Sequence, residues 1–258
     1  MYWPGLTPFG ALALNEAGPI WAETYGQHVF SISPPGMETA ALPSEEYLLT
    51  RLASLVVDLL DALDVERSTF VGHSWGASVG CHLAARSPER LSALVLLDAG
   101  YQDMADDGKD LPVRIDEARA ATAEYTFPDW DAFLEAAREG RRRLSPALDE
   151  RLRAGMREEH GRIALVSAAE AAGAAIHGVI SEPPTAQLET IGQLALPVLL
   201  LVSSERGDTD DGQAAVERFQ RVVPLAKVVR IADSGHDLLA DQPEETIRCV
   251  GEFVREHG

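Results

Sequence analysis

The sequence predicts an α/β fold in which a mostly parallel sheet is flanked by helices and carries an inserted helical lid. Three observations predict it. Apolar runs rich in Val, Ile and Leu alternate with amphipathic segments, which is the rhythm of βαβ units. That rhythm is interrupted once, over residues 101–191, by helical patterns alone. A serine between two glycines stands where one apolar run meets a helical pattern, and 258 residues suffice for a full core.

The predicted strands are short, continuous apolar runs. Continuous rather than alternating runs are typical of parallel strands that helices cover on both faces. They are His28 to Ser33, Ser68 to Val71, Ala93 to Leu97, Val198 to Val202 and Val228 to Ile231.

Amphipathic segments between these runs predict the flanking helices. Their apolar residues recur with the spacing of one helix face. The segments are Glu45 to Leu63, Ala77 to Arg86, Gln213 to Val222 and Glu244 to Glu256.

Residues 101–191 predict a separate helical lid, with no strand among its segments. The helical patterns are Ile115 to Glu124, Trp130 to Gly140, Ala147 to Glu159 and Ala168 to Ile180. The insertion follows the run ending at Asp98, so it should overhang the carboxyl ends of the strands, where open parallel sheets bind ligands. The predicted domains are therefore a core of residues 1–100 and 192–258 and a lid of residues 101–191.

Composition narrows the classes of partner. A net charge of −19 disfavours nucleic acids and anionic membranes, since both need clustered Lys and Arg. The two cysteines, Cys81 and Cys249, form no C-x-x-C motif and suggest buried thiols in a reducing compartment. The amino terminus has no signal-like pattern and no segment has the length of a membrane span, so a cytoplasmic protein is expected.

The segment from Thr69 to Ser78 carries the main chemical signal. Its Gly-His-Ser-Trp-Gly motif has the form of a nucleophile elbow, in which Ser74 sits on a tight strand-to-helix turn. Side chains at Gly72 and Gly76 would collide with the reversing backbone. We predict that Ser74 is a nucleophile and that the flanking His73 and Trp75 border the substrate pocket.

A serine nucleophile needs a base, and His236 is the best candidate among the seven histidines. It follows the last predicted strand, comes directly after Gly235, and precedes a helix that begins near Pro243. A loop in that place can reach Ser74.

Several carboxylates could orient the imidazole. The loop after Val198 to Val202 holds four of them, and the run ending at Leu97 is followed by another. The residues alone leave the choice open among Glu205, Asp208, Asp210, Asp211 and Asp98.

The order serine, acid, histidine, each after a strand, resembles the α/β-hydrolase family. The family's usual interval between acid and histidine is matched best by Asp208, which lies 28 residues before His236. The family's usual acid position falls at Arg206, so the loop carries about two extra residues and Glu205 and Asp210 stay as alternatives. Some members place the acid where Asp98 lies.

The resemblance also implies an oxyanion hole built from backbone amides. One amide is that of Trp75, and the other comes from a loop that the segment Tyr2-Trp3-Pro4-Gly5 resembles, which would make the Trp3 amide the second donor. The family has about three strands before this loop, one of them between the strand read at His28 to Ser33 and the strand of Ser74, and these are not found in the sequence.

Three explanations stay open: the sequence starts late, another chain supplies a strand, or the sheet closes without it. An uncovered edge beside the strand of Ser74 would favour pairing with a second copy. We therefore count a homo-oligomer among the expected partners, beside a small-molecule substrate.

These features predict a serine hydrolase that cleaves an ester, thioester or lactone of a small, mainly apolar molecule through an acyl-enzyme. No metal or cofactor is expected, since ligand-like spacings and nucleotide-binding glycine motifs do not occur. The alternatives are a catalytically silent binding protein of the same fold and a carbon–carbon bond hydrolase with the same residues.

Overall fold

The computed structural model describes residues 1–139 and 141–257. Within that part of the chain the strands are β1 (Tyr2–Trp3), β2 (Ser68–His73), β3 (Leu91–Leu97), β4 (Thr126–Phe127), β5 (Met156–Glu159), β6 (Arg162–Leu165), β7 (Val198–Ser203) and β8 (Lys227–Ile231).

Five strands form one parallel sheet in the order β1-β2-β3-β7-β8. Four of the five predicted strands, now β2, β3, β7 and β8, are confirmed to within a few residues at each end. Alternate residues of a strand face opposite sides of the sheet, so Phe70 and Leu94 join one apolar cluster while Val71 and Val95 join the other. Helices cover both faces, as the continuous apolar runs predicted.

The amino-terminal segment corrects one prediction. Strand β1 lies between β2 and the segment of residues 28–33: the Tyr2 amide donates to the Phe30 carbonyl at 2.8 Å, and the Ile32 amide donates to the Tyr2 carbonyl at 3.0 Å. The expectation that no strand lies there is wrong, because two residues at the very start of the sequence are too few to recognise as a strand.

The same pairing changes two further expectations. Residues 28–33 form only an isolated parallel bridge, Tyr2 with Ser31, rather than a regular strand. At Val71 and Gly72 the edge of β2 is paired with β1, so the edge that the sequence left open is occupied at these residues.

The α-helices surround the sheet and fill the insertion. They are α1 (Ala17–Tyr25), α2 (Leu49–Ala62), α3 (Trp75–Arg86), α4 (Leu111–Glu124), α5 (Trp130–Arg138), α6 (Pro146–Ala154), α7 (Ala169–Ser181), α8 (Leu188–Gly192), α9 (Ser204–Gly207), α10 (Asp210–Val222), α11 (Leu238–Asp241) and α12 (Pro243–His257).

The insertion between β3 and β7 is mainly helical but also holds a three-stranded antiparallel sheet in the order β4-β6-β5. The prediction that it contains no strand is wrong. Helix α6 ends at Ala154, and the chain then forms a hairpin whose turn residues, His160 and Gly161, have φ of 51° and 72°. Two consecutive positive φ angles are typical of a type I′ turn. The sequence did not reveal this hairpin because the charged residues in Ala147 to Glu159 favour a helix.

No helix in the described ranges combines the length and apolarity that crossing a membrane requires.

Candidate active site

The elbow places Ser74 between the end of β2 and the start of α3 in a strained backbone conformation. Its φ is 53° and its ψ is −116°, and its amide donates to the Leu97 carbonyl of the neighbouring strand at 3.2 Å. Strained backbone of this kind costs about 1–3 kcal/mol and persists only where its surroundings enforce it. The turn sets the Ser74 hydroxyl at the amino terminus of α3, where the helix dipole favours negative charge.

The two flanking glycines have the predicted steric reason. A Cβ atom at Gly72 would lie 2.3 Å from the Gly76 carbonyl oxygen, and one at Gly76 would lie 2.2 Å from the Trp3 carbonyl oxygen. Both obstacles are backbone atoms, which cannot rotate away. The elbow therefore requires glycine at both positions and packs directly against β1.

Ser74, His236 and Asp98 form a continuous hydrogen-bonded chain. The Ser74 Oγ lies 2.8 Å from His236 Nε2, and His236 Nδ1 lies 2.8 Å from Asp98 Oδ2. Because an ionised carboxylate only accepts, Nδ1 carries the proton and Nε2 is free to accept from the serine hydroxyl. This is the tautomer that a general base needs.

Asp98 is fixed at the carboxyl end of β3. It is fully buried, and its second oxygen, Oδ1, accepts the Ser203 amide at 2.7 Å. The Arg206 side chain adds a cation, with Nε 3.6 Å from Asp98 Oδ2 and Nη1 donating to the Asp98 carbonyl at 3.2 Å. One carboxylate oxygen thus accepts from the backbone, and the other faces both the imidazole and the Arg206 side chain.

The acids expected in the loop after β7 lie elsewhere. Asp208 pairs with Arg230 at the surface and Glu205 contacts Arg142, while Asp210 is the first residue of α10. Helix α9 starts directly after β7, and its Glu205 amide donates to the Ser234 carbonyl at 3.1 Å. This segment therefore lies against the loop of His236, whose Nδ1 is taken by Asp98. We therefore assign Asp98, the alternative at the end of β3, as the partner of His236 instead of Asp208.

The candidate oxyanion donors are the Trp75 and Leu6 amides rather than the Trp3 amide. Trp3 is in register with Gly72, and since the Tyr2 amide faces residue 30, the Trp3 amide faces β2. A Cβ atom on Gly5 would lie 3.0 Å from Ser74 Cβ, and Leu6 borders the same cavity as Ser74. Within residues 1–139 and 141–257, the Leu6 and Trp75 amides donate to no protein acceptor.

His73 has a role in the geometry that the sequence did not reveal. Its Nε2 donates to the His236 carbonyl at 2.8 Å, and the two imidazole rings lie 4.9 Å apart. Desolvation by burial lowers the pKa of His73 below its ordinary value, which favours the neutral ring. His73 thus ties the end of β2 to the loop of His236, a contact between residues 163 positions apart that no local pattern signals.

His73 borders a cavity that His236 also lines, and Trp75 borders a second cavity that Ser74 also lines. In the described part of the chain, no cluster of three or more His, Cys, Asp or Glu side chains is arranged to hold a metal ion.

Comparisons with known proteins identify the family and the fold of this chain. The model of the alpha/beta hydrolase fold family matches residues 11–243. A cis-3-alkyl-4-alkyloxetan-2-one decarboxylase from Shewanella oneidensis is 26% identical over 222 residues, covering 82% of this chain and 67% of that protein. One further match is local: a Pseudomonas syringae protein described provisionally as a carbamate hydrolase is 34% identical over 93 residues, 33% of this chain and 36% of its own length.

Solved structures share the fold over nearly the whole chain. An E-2-(acetamidomethylene)succinate hydrolase superposes with a TM-score of 0.74 at 19% identity, covering 98% of this chain and 90% of that one. The thioesterase domain of the curacin biosynthetic pathway gives 0.73 at 16% identity, covering 98% and 89%. Identities this low show the fold alone. With a family model that matches most of its length, the chain belongs to the α/β-hydrolase family.

Proposed function

We propose that this protein is a serine hydrolase that cleaves an ester, thioester or lactone of a small, mainly apolar molecule. In this proposal Ser74 is the nucleophile, His236 the general base and Asp98 the acid that orients it. The observation that carries it is the unbroken chain of 2.8 Å contacts from the Ser74 hydroxyl through the imidazole to a buried carboxylate.

The reaction proceeds through an acyl-enzyme. His236 Nε2 takes the proton as the Ser74 Oγ attacks the substrate carbonyl carbon, and Asp98 stabilises the resulting imidazolium. The tetrahedral intermediate collapses when the imidazolium returns that proton to the leaving alcohol or thiol. Water, activated by the same imidazole, then attacks the acyl-enzyme and releases the acid.

The negative charge on the former carbonyl oxygen needs preorganised donors. The Leu6 and Trp75 amides are our candidates, because both residues border the cavity of Ser74 and neither amide has a protein acceptor in the described ranges. Removal of one such donor typically costs 10²–10³-fold in rate. The amino terminus of α3 adds its dipole at the same place.

Two features of the sequence favour the alternative of a catalytically inactive binding protein. They are the absence of a predicted strand beside β2 and the two extra residues in the loop expected to carry the acid. Strand β1 fills the first position, and Asp98 supplies a carboxylate independently of the loop. The third hypothesis, hydrolysis of a carbon–carbon bond, gains no specific observation from the geometry.

Active-site labelling tests the proposal. A fluorophosphonate probe should add one covalent label to the folded parent protein, and peptide mass spectrometry should place it on Ser74. Ser74→Ala, with the same circular dichroism spectrum, is the matched control and should stay unlabelled and inactive on 4-nitrophenyl acetate. A folded parent that neither labels nor hydrolyses activated esters would leave the binding protein as the better description.

A further inference from the structure

Two cavities border the Ser74–His236 pair, one at each of the two residues. The larger, about 1140 Å³, is bordered by His73 and His236. The smaller, about 370 Å³, is bordered by Ser74 and Trp75. Ile176 of α7 borders both cavities and therefore stands at the boundary between them.

The chemistry of acyl transfer assigns a different part of the substrate to each side. The leaving atom must take its proton from His236 Nε2, so the leaving group extends from the imidazole side. The carbonyl oxygen points to the amides of Leu6 and Trp75, which border the smaller cavity. The acyl chain takes the remaining direction, beside Ser74.

From this arrangement we infer that the substrates are esters or thioesters that join a compact acyl group to a bulky, mainly apolar alcohol or thiol. The inference rests on the proposed serine hydrolase function. The acyl group occupies the smaller cavity and the leaving group the larger one, which has about three times the volume.

The walls of the larger cavity fit an apolar leaving group. Aromatic and aliphatic side chains from the insertion form much of its surface, among them Tyr125, Phe133, Leu152, Met156 and Leu165. Such walls bind by burying apolar area, and each buried methylene contributes about 0.8 kcal/mol.

Three of the charged residues at the same cavity are paired with one another. Arg142 lies 3.5 Å from Glu205 and 3.6 Å from Asp241.

The smaller cavity is more restricted. Its walls include Ala99, Met104 and Val179 together with the polar residues Gln102 and Arg206. The Arg206 guanidinium already contacts Asp98, and Asp103, which also borders the cavity, is bonded to the Thr185 amide and hydroxyl. Longer acyl chains would have to displace these contacts or leave the cavity.

Two ester series measure the two sides separately. In the first, 4-nitrophenyl acetate, butyrate, octanoate and dodecanoate vary only the acyl chain. In the second, phenyl acetate and 2-naphthyl acetate vary the leaving group at similar intrinsic reactivity. We expect kcat/KM to fall about tenfold or more between butyrate and dodecanoate, and to rise about tenfold from phenyl to 2-naphthyl acetate.

Two variants link each preference to its cavity. Val179→Ala should extend the acyl preference toward octanoate and leave the naphthyl-to-phenyl ratio unchanged. Tyr125→Ala, at a side chain that is 43% exposed, should lower that ratio and leave the acyl profile unchanged. Circular dichroism and urea unfolding check that both variants fold.

The outcomes separate this inference from the proposed function. Labelling at Ser74 with a preference for long acyl chains and small leaving groups would overturn the cavity assignment and leave the hydrolase intact. The same holds if each variant shifts the other series. Absence of both labelling and turnover in the folded parent would overturn both proposals.

Discussion

The replacement of Asp98 by asparagine tests the acid assignment most directly. The Ser203 amide donates to Oδ1 of Asp98, so the asparagine carbonyl oxygen should take that position. The asparagine NH₂ group would then face His236 Nδ1 at the site of Oδ2. A donor there forces the imidazole proton onto Nε2, which can no longer accept the proton of Ser74.

The expected loss is about 10⁴-fold in kcat, or about 5.4 kcal/mol of transition-state stabilisation. Folding should survive, because the replacement has the same shape and keeps the bond to Ser203. The matched control is Asp208→Asn, which removes an exposed partner of Arg230 that has no contact with His236. Its kcat should stay within about twofold of the parent.

The assay is hydrolysis of 4-nitrophenyl acetate by the parent and both variants, with urea unfolding as the check on stability. A kcat for Asp98→Asn within tenfold of the parent, together with a large loss of kcat in Asp208→Asn, would refute the assignment of Asp98. It would favour Asp208, the acid that the spacing in the sequence indicated.

The remaining predictions concern the elbow and its histidine. Gly72→Ala should lower the free energy of unfolding by about 3 kcal/mol in urea denaturation, because its Cβ would meet the Gly76 carbonyl. The control is Gly18→Ala, whose Cβ would lie 3.7 Å from its nearest neighbour and which should change the free energy of unfolding by less than about 1 kcal/mol. Equal effects of the two variants would contradict the steric argument. Burial lowers the pKa of His73, so the imidazole binds a proton more readily in the unfolded chain than in the folded protein. Stability should therefore fall as pH drops below about 6.5, and His73→Gln should show a shallower fall between pH 7.5 and 5.5; an unchanged slope would argue against a neutral buried ring.

Local sequence alone determined the elements of the core and the position of the nucleophile. Continuous apolar runs specify parallel strands, and β2, β3, β7 and β8 lie where these runs predicted them. The elbow is equally local: two glycines, a serine and the start of a helix are adjacent in the chain, and the steric requirement acts between neighbours.

Only the tertiary structure decided which groups meet at that serine. The choice of Asp98 over Asp208 depends on where α9 begins and on which strand lies beside β2, and both are matters of packing between distant segments. The Leu6 amide became a candidate oxyanion donor only once the register of β1 on β2 was known. The contact of His73 with the loop of His236 likewise exists only in the folded protein. Sequence spacing carries local backbone preferences, whereas hydrogen bonds between remote residues are fixed only when the sheet assembles.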